Sequence, residues 1–447
     1  MTGFQMITGR IRTMDPGRPL ADALAVADDR IVAVGGIEEV TAAVPPGTPT
    51  RAVGGTMVPG LIDIHLHLQR GGLKVLHDLG PGPHPLDLVI ATMNEKGFEA
   101  GWGDEPPTTD DRLAAMAVIQ PVMHQLGVTG VIDPAATPEE VAGYQATWSR
   151  GGLSVRILAM PYLDLGDGDR ASVDTAITRL AGAGITTGFG DEHLRIGGIK
   201  VYLDGEAMKS QALLAEPWPE HGCHGHRRLA TVELERLAVH CARTGWSVGV
   251  HAVGGAAVKA VLDCFQRADA ERSIAGRQWQ IIHGYLEVSP RSMARAAELD
   301  VVLAAQPSIT LRNGRLLLDA LGQRATTMNP LRSWIDAGVR VVLGSDGPFF
   351  PFDARELMWS AVTRRMRHLD QPVGPEEAIT AAEALAGYTS EAAVVALAGD
   401  RRGVLVEGRL ADWAVFDRDP LAVQPDQLPR LRVMETAVGG TVVHSIG

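Results

Sequence analysis

Short apolar runs alternate with amphipathic stretches through the middle of this 447-residue chain. Apolar residues spaced three and four apart predict helices at 231–244, 254–268 and 289–298. The intervening runs, rich in Val, Ile and Leu, predict buried strands. Eight strands alternating with helices predict an α/β fold, a (β/α)8 TIM-type barrel. The predicted strands are 57–65, 128–133, 155–161, 198–203, 247–252, 280–283, 301–306 and 340–345.

The two ends of the chain have a different pattern from its middle. Residues 1–56 mix β-branched and polar residues with turns, and 403–417 and 436–444 read as strand–turn–strand segments. These ends predict one small composite β-sandwich domain formed by both termini. The expected domains are 1–56 and 396–447 for the sandwich and 57–395 for the barrel.

One connection in the predicted barrel is unusually long. Residues 68–111 are rich in Gly, Pro, Asp and His and show little periodicity. Long loops in compact domains are usually functional, so we expect this loop to lie over the barrel mouth.

The amino-acid composition limits the classes of molecule that we expect this protein to bind. The formal net charge of -12 argues against nucleic acid or an anionic membrane as the main partner. No apolar run is long enough to span a membrane, and no signal peptide is evident. The three cysteines lack disulfide or CxxC spacing and read as reduced thiols, so a cytoplasmic location is expected.

Polar residues occur where the predicted barrel strands end. His65 and His67 follow the first strand, and side chains at i and i+2 of a strand point to the same face, as two ligands of one metal ion must. A single histidine after an apolar run is more often a hydrogen-bonded core residue than a ligand. The joint pattern predicts a site, because barrel active sites lie at the carboxyl ends of the strands. The other candidates are Lys200, His251, His283 and Asp346.

Several of these segments resemble the amidohydrolase superfamily, and more narrowly the YtcJ-like branch of its amidohydrolase-3 group. They include Pro59-Gly-Leu-Ile-Asp-Ile-His-Leu-His67, Ile199-Lys-Val-Tyr-Leu-Asp-Gly205 and Gly344-Ser-Asp346. The resemblance covers nearly the whole chain. It implies two divalent metal ions, with zinc as the default because imidazole-rich sites suit it. His65, His67 and Asp346 would hold the more buried ion, and His251 and His283 the more exposed one.

Lys200 needs separate treatment, because an ammonium has no lone pair for a cation. The resemblance implies that Lys200 is N-carboxylated and bridges both metals as a carbamate. The alternative is that Lys200 stays an ammonium paired with Asp204 and that one metal binds.

The function implied is hydrolysis of a C–N bond in a small amide, N-acyl or carbamate substrate. Bound metal lowers the pKa of water to about 7, and Asp346 would serve as general base and then acid. A single-metal deaminase of a ring amidine, a lactone, ester or phosphoester hydrolase, and a catalytically silent binding protein are the alternatives. Homo-oligomerisation is left open.

Two further segments bear on the site. His221, Cys223, His224 and His226 form a ligand-rich stretch that is either a second metal site or, as its spacing favours, a loop near the pocket. The family often has an acidic residue where Gly255 stands and commonly an arginine within 208–211, so the family's substrate contacts at these two places do not carry over to this chain.

Overall fold

The region predicted to form the barrel, residues 57–395 and here called the barrel region, contains two parallel sheets whose strands follow the predicted positions. The structure, a computed structural model, describes residues 3–95, 106–166 and 168–446. All eight predicted strands are present in it, with ends shifted by a few residues. One sheet has the order β5-β6-β7-β8 and the other β13-β12-β11-β10-β9. The strands are β5 (Leu61–Asp63), β6 (Val128–Ala136), β7 (Arg156–Pro161), β8 (Leu194–Ile196), β9 (Ile199–Tyr202), β10 (Val248–Gly254), β11 (Gln280–Leu286), β12 (Val302–Ala305) and β13 (Val341–Leu343).

Single parallel bridges connect the two sheets on both sides. Leu66 pairs with Gly347 beyond the ends of β5 and β13, and Tyr162 pairs with Lys200 where β7 ends beside β9. The parallel strands therefore present their carboxyl ends at one common edge, where the candidate residues lie.

Helices alternate with these strands, as the pattern predicted for 231–244, 254–268 and 289–298. Their bounds are α1 (Ile37–Ala42), α2 (Leu68–Leu79), α3 (Leu86–Glu95), α4 (Thr109–Gln125), α5 (Pro138–Ser149), α6 (Arg170–Gly182), α7 (Thr231–Thr244), α8 (Gly255–Glu271), α9 (Pro290–Glu298), α10 (Pro307–Leu321), α11 (Leu331–Asp336), α12 (Ala354–Thr363), α13 (Ala381–Tyr388) and α14 (Ser390–Val395). Every helix in the described ranges is too short or too polar to cross a bilayer.

The prediction of an irregular loop at 68–111 was wrong for most of that stretch. Helices α2 and α3 and the start of α4 occupy it, while residues 96–105 lie outside the described ranges. Gly72 explains the error, because a Cβ there would come within 2.3 Å of Ala115 O on α4. The glycine that suggested a loop instead allows α2 and α4 to pack closely.

Both termini contribute to one mixed sheet. Its order is β16-β15-β14-β4-β1-β2-β3, and β1 and β4 run parallel while the other neighbours are antiparallel. No second sheet stacks on it within the described residues; Val40 of α1 packs on one face and Leu405 on the other. The strands are β1 (Phe4–Arg12), β2 (Leu20–Ala27), β3 (Arg30–Gly35), β4 (Thr50–Pro59), β14 (Trp413–Phe416), β15 (Val433–Val438) and β16 (Thr441–Ser445).

The predicted first strand, 57–65, is shared between the two regions. Its start ends β4 of the mixed sheet, and its later part is β5 of the parallel sheet. The break falls at Gly60, where a Cβ would lie 2.3 Å from Thr129 Oγ1. The sequence does not reveal this break, because the residues on both sides of Gly60 are buried and form one continuous apolar run.

A buried ion pair joins the mixed sheet to the barrel region. Arg156 Nε and Nη2 donate to Asp412 at 2.7 and 2.9 Å, and both side chains are buried. Asp412→Ala is expected to lower the free energy of unfolding by about 3–5 kcal/mol, because it leaves the Arg156 cation buried and unpaired. Urea unfolding of the variant measures this loss.

The exposed pair of Arg315 and Asp319 supplies the matched control. Both side chains are more than half exposed, so Asp319→Ala should change the free energy of unfolding by about 0–1 kcal/mol. If Asp412→Ala and Asp319→Ala lowered the free energy of unfolding equally, the buried ion pair would contribute no more to stability than the exposed pair.

Candidate metal centre

The ends of β5 and β13 are tied together by one buried carboxylate. Asp63 Oδ1 accepts the backbone N–H groups of His65 and Ser345, each at 3.0 Å. The Asp346 backbone N–H donates to His65 O at 2.6 Å. These bonds fix the first and last candidate ligands relative to each other, although they belong to opposite ends of the barrel sequence.

Three candidate ligands converge on one point. His65 Nε2 and His67 Nε2 lie 3.3 and 3.4 Å from Asp346 Oδ1. Their ligand atoms all lie within 4.8 Å of one another, and no other group of three His, Cys, Asp or Glu residues in the described ranges does so. The i, i+2 spacing of the two histidines thus produces the shared direction expected from it.

The remaining candidates face the same cavity. The His251 and His283 ring centroids are 4.4 Å apart, and His283 is 5.3 Å from His65. Lys200 lies on β9 with Nζ 4.9 Å from the Tyr202 ring centroid. A cavity of about 230 Å³ is lined by all six residues predicted from the sequence.

The donor set suits a metal ion. His65 Nδ1, His67 Nδ1, His251 Nε2 and His283 Nδ1 are buried and have no hydrogen-bond partner among the described residues. Burial lowers the pKa of His65 to about 4 and holds those of His251 and His283 well below the usual value. Burial would also lower the pKa of His67, but hydrogen bonding with Asp133 and Asp346 outweighs burial and raises it. Neutral imidazole is the form that ligates metal, so His65, His251 and His283 fit the metal centre implied by the resemblance, and His67 fits it through the Nε2 atom that faces Asp346.

Two of the candidate ligands have unusual backbone conformations. His283 has φ +82° and Asp346 has φ +56°, a region that residues other than glycine rarely adopt. Such strain persists where the surroundings enforce it, and it clusters at functional sites. His283 lies within β11, Asp346 lies just beyond β13, and both residues line the cavity.

Lys200 does not pair with Asp204, as the single-metal alternative required. Asp204 instead accepts the backbone N–H groups of Leu213, Val253 and Gly254, and no Lys200–Asp204 ion pair occurs within the described residues. Burial lowers the pKa of Lys200 to about 7, against the opposing charge of Asp346. The buried amine is therefore largely neutral above that pH.

Backbone crowding accounts for the glycine at position 255, where the resemblance leads one to expect an acidic residue. A Cβ at Gly255 would lie 2.0 Å from Glu287 O, so no acidic side chain fits there. In the 208–211 segment, Met208 lines the candidate cavity, while Lys209 is exposed and pairs with Glu206 at 3.2 Å.

The ligand-rich stretch after β9 is not a second metal site in the described structure. His221 Nδ1 accepts from Cys223 N at 3.2 Å, and His224 Nδ1 lies 3.1 Å from Leu214 O. Their ligand atoms do not come together as a group. His226 lines a neighbouring cavity of about 470 Å³, which shares Tyr202 with the candidate site. The structure therefore favours the interpretation of this stretch as a loop near the pocket over that of a second metal site.

The motifs do not include the buried residues behind the ligands. Asp133, on β6, has Oδ1 3.4 Å from His67 Nδ1. It follows an apolar run as the named candidates do, so the same signal was available. Asp63 lies inside the quoted histidine motif, but its role in tying two strands depends on a residue 282 positions away.

Comparison with known proteins identifies the class. Residues 85–444 match the model of the amidohydrolase family, Amidohydro_3. The chain belongs to this family, which confirms the resemblance stated from the motifs.

Particular relatives match over part of their length. The chain is 32% identical over 254 residues to an N-substituted formamide deformylase of Arthrobacter pascens, covering 56% of this chain and 46% of that protein. It is 29% identical over 258 residues to YtcJ of Bacillus subtilis (strain 168), named as an amidohydrolase, covering 56% and 48%. The matched region thus spans about half the length of either relative.

The fold has close structural counterparts. An uncharacterized metal-dependent hydrolase from Pyrococcus horikoshii OT3 superposes with a TM-score of 0.77 at 18% identity, covering 95% of this chain and 99% of that one. This likeness establishes a shared fold.

Proposed function

We propose that this protein is a metal-dependent hydrolase that cleaves a C–N bond in a small amide, N-acyl or carbamate substrate. The observation that carries the proposal is the meeting of four buried imidazoles, Lys200 and Asp346 at one cavity. Membership of the amidohydrolase family and the likeness to a formamide deformylase support the type of bond.

In this proposal the cavity holds two divalent ions, with zinc as the default. His65, His67 and Asp346 would hold one ion, His251 and His283 would hold the other, and an N-carboxylated Lys200 would supply a carboxylate-like ligand to both. When bound, the ions lower the pKa of water and polarise the scissile carbonyl. Two observations support this division of the ligands: His65 Nε2 and His67 Nε2 both lie near Asp346 Oδ1, and the His251 and His283 rings lie beside each other.

Asp346 is the proposed proton carrier. Burial would raise the pKa of its carboxyl, but His65 and His67 outweigh burial and hold the pKa well below its usual value. The carboxylate is therefore ionised. Its role as proton carrier follows from the family resemblance: Asp346 would accept a proton from water and deliver it to the leaving nitrogen.

Lys200 is the proposed bridging ligand. Its neutral amine can add to carbon dioxide, forming an N–C bond and releasing one proton to give a carbamate. The lowered pKa of about 7 supports this step, because only the unprotonated amine has a free lone pair.

The cavity walls favour a compact substrate with an apolar part. Met208, Ile309, Phe349 and Phe350 line the space beside the ligands. Asn313, nine-tenths buried, also faces it and forms no side-chain hydrogen bond to a described residue. An amide in that place can bind one neutral polar group of the substrate.

The fold is proposed to be a closed (β/α)8 barrel at 57–395 with a composite domain from 1–56 and 396–447. The bridges Leu66–Gly347 and Tyr162–Lys200 support closure, because they connect the two parallel sheets on both sides. The mixed sheet built from both termini supports the composite domain.

The deaminase alternative is disfavoured by Gly254. Superfamily deaminases usually have a glutamate three residues after the histidine on this strand, which here is the position of Gly254. A Cβ at this position would lie 1.9 Å from Leu213 O. The backbone therefore leaves no room for that side chain.

Metal analysis and a substrate panel test the proposal. We expect about two divalent ions per chain and hydrolysis of N-formyl or N-acyl amines, with weaker or no turnover of lactones, esters and phosphoesters. One ion with release of ammonia from a ring amidine would favour the deaminase instead. Metal binding without turnover of any member would contradict the proposed activity.

A further inference from the structure

A buried carboxylate lies behind one of the candidate ligands. His67 Nδ1 is 3.4 Å from Asp133 Oδ1. Both residues are at least 97% buried, and neither atom has a hydrogen-bond partner in the described ranges. The other ring nitrogen of His67, Nε2, points to Asp346 and the metal centre.

A buried tyrosine holds the carboxylate. The Tyr144 hydroxyl on α5 donates to Asp133 Oδ2 and accepts the Gln69 backbone N–H at 3.2 Å. Tyr144 is fully buried, so water does not compete for its proton. The second oxygen of Asp133 is therefore occupied, and Oδ1 is the oxygen left for His67.

We propose that Asp133 and Tyr144 are positioning residues that keep the proton of His67 on Nδ1. Asp133 accepts this proton in a hydrogen bond, and Tyr144 prevents the carboxylate from turning away. The lone pair of Nε2 is then directed toward His65 and Asp346, as a metal ligand requires. This inference rests on the proposed metal centre and adds two residues from β6 and α5 to it.

The arrangement explains why the HxH motif needs support from distant residues. The i, i+2 spacing sets the direction of both rings but leaves each ring free to present either nitrogen. A carboxylate that accepts from one nitrogen selects the tautomer, and such partners typically change metal affinity about 10–100-fold.

Two variants test the pair, each compared with the parent protein. Tyr144→Phe removes only the hydroxyl, and Asp133→Asn removes the charge while keeping the shape. Zinc affinity is measured by competition with a chromogenic chelator. The tautomer of His67 is read by nitrogen NMR of metal-free protein labelled at histidine, with a His67→Gln sample to assign the signal.

Tyr388→Phe is the matched control. Tyr388 is also fully buried, and its hydroxyl has no hydrogen-bond partner among the described residues. Tyr388→Phe removes a hydroxyl oxygen from the core, as Tyr144→Phe does, but leaves Asp133 and its contacts unchanged. Any loss of zinc affinity in this variant therefore measures a general effect on packing.

We expect the parent protein to show Nδ1–H at His67, and both variants to lose zinc affinity about 10–100-fold with a mixture of tautomers. Tyr388→Phe should keep the parent's affinity and tautomer. Unchanged zinc affinity in Tyr144→Phe and Asp133→Asn, or Nε2–H at His67 in the parent, would overturn the inference.

The readouts separate this inference from the proposed function. The tautomer is observed without metal or substrate, so Nδ1–H in the parent and its loss in the variants support the pair even if no panel substrate is cleaved. Conversely, full hydrolytic activity with Nε2–H at His67 leaves the proposed function standing and removes the role of Asp133.

Discussion

An Asp346→Asn variant is expected to fold normally and to lose turnover by a factor of about 10²–10⁴, the usual contribution of a positioned general base and acid. Asparagine has the size of aspartate but cannot take up a proton at this position. Its amide oxygen can still face His65 and His67. The loss should therefore appear in kcat, measured on whichever panel substrate the parent protein cleaves.

Asparagine is the most informative replacement for Asp346 because it can adopt the same backbone conformation. Asp346 has φ +56°, and asparagine tolerates this left-handed region better than most residues. The backbone bond from Asp346 N to His65 O is also retained. Circular dichroism and thermal unfolding should match the parent, and bound metal should be measured in the same sample.

Asp22→Asn serves as the control, because Asp22 is exposed on β2, far from the barrel edge in sequence and sheet. It should keep the parent's kcat. Parent-like kcat in Asp346→Asn, with metal bound, would assign the proton transfer to another group.

The strands of the two parallel sheets were predictable because each strand's burial shows in its own sequence. A strand covered on both faces needs a continuous apolar run, so each one is marked in the sequence whatever its neighbours. The same logic marked His251, His283 and Asp346, since a polar residue at such a place is costly unless it has a use. The structure places all of them at one cavity.

What could not be predicted depends on contacts between distant segments. Gly72 looks like a loop residue until α4 lies against it, and Gly60 interrupts an apolar run only because Thr129 is its neighbour. Tyr144 has no local signal, because its partner Asp133 belongs to the preceding strand and its other partner, Gln69, to α2. The substrate is undetermined for the same reason, since loops from several strands form its walls.

Lys200→Met is expected to reduce bound metal from about two ions per chain to about one and to remove most hydrolytic activity. Methionine fills the buried space with a similar chain but provides no amine for carboxylation. Metal content is measured after loading in bicarbonate buffer. In carbon-13 bicarbonate, the parent protein should show a carbamate carbon by NMR, and the variant should lack it.

The role of Lys200 can also be tested in the parent protein, by varying carbon dioxide and pH while metal is loaded. The pKa of about 7 means that Lys200 is mostly neutral above pH 7 and mostly an ammonium below it. Carboxylation, and with it the second ion, should therefore be favoured by loading above pH 7 with bicarbonate. When metal-free protein is loaded below pH 7, or in buffer freed of carbon dioxide, it should bind only about one ion per chain.

Lys74→Met is the matched control for the loss of a buried amine. Lys74 lies on α2, is 2% exposed and donates to Met93 O at 3.3 Å. It does not line the candidate cavity, so this variant should keep both the carbamate signal and two ions. If the parent protein binds two ions equally well with and without carbon dioxide, the two ions must be held by the histidines and Asp346 without a carbamate. If Lys200→Met keeps the carbamate signal, another amine carries it, and Lys200 is not the bridge.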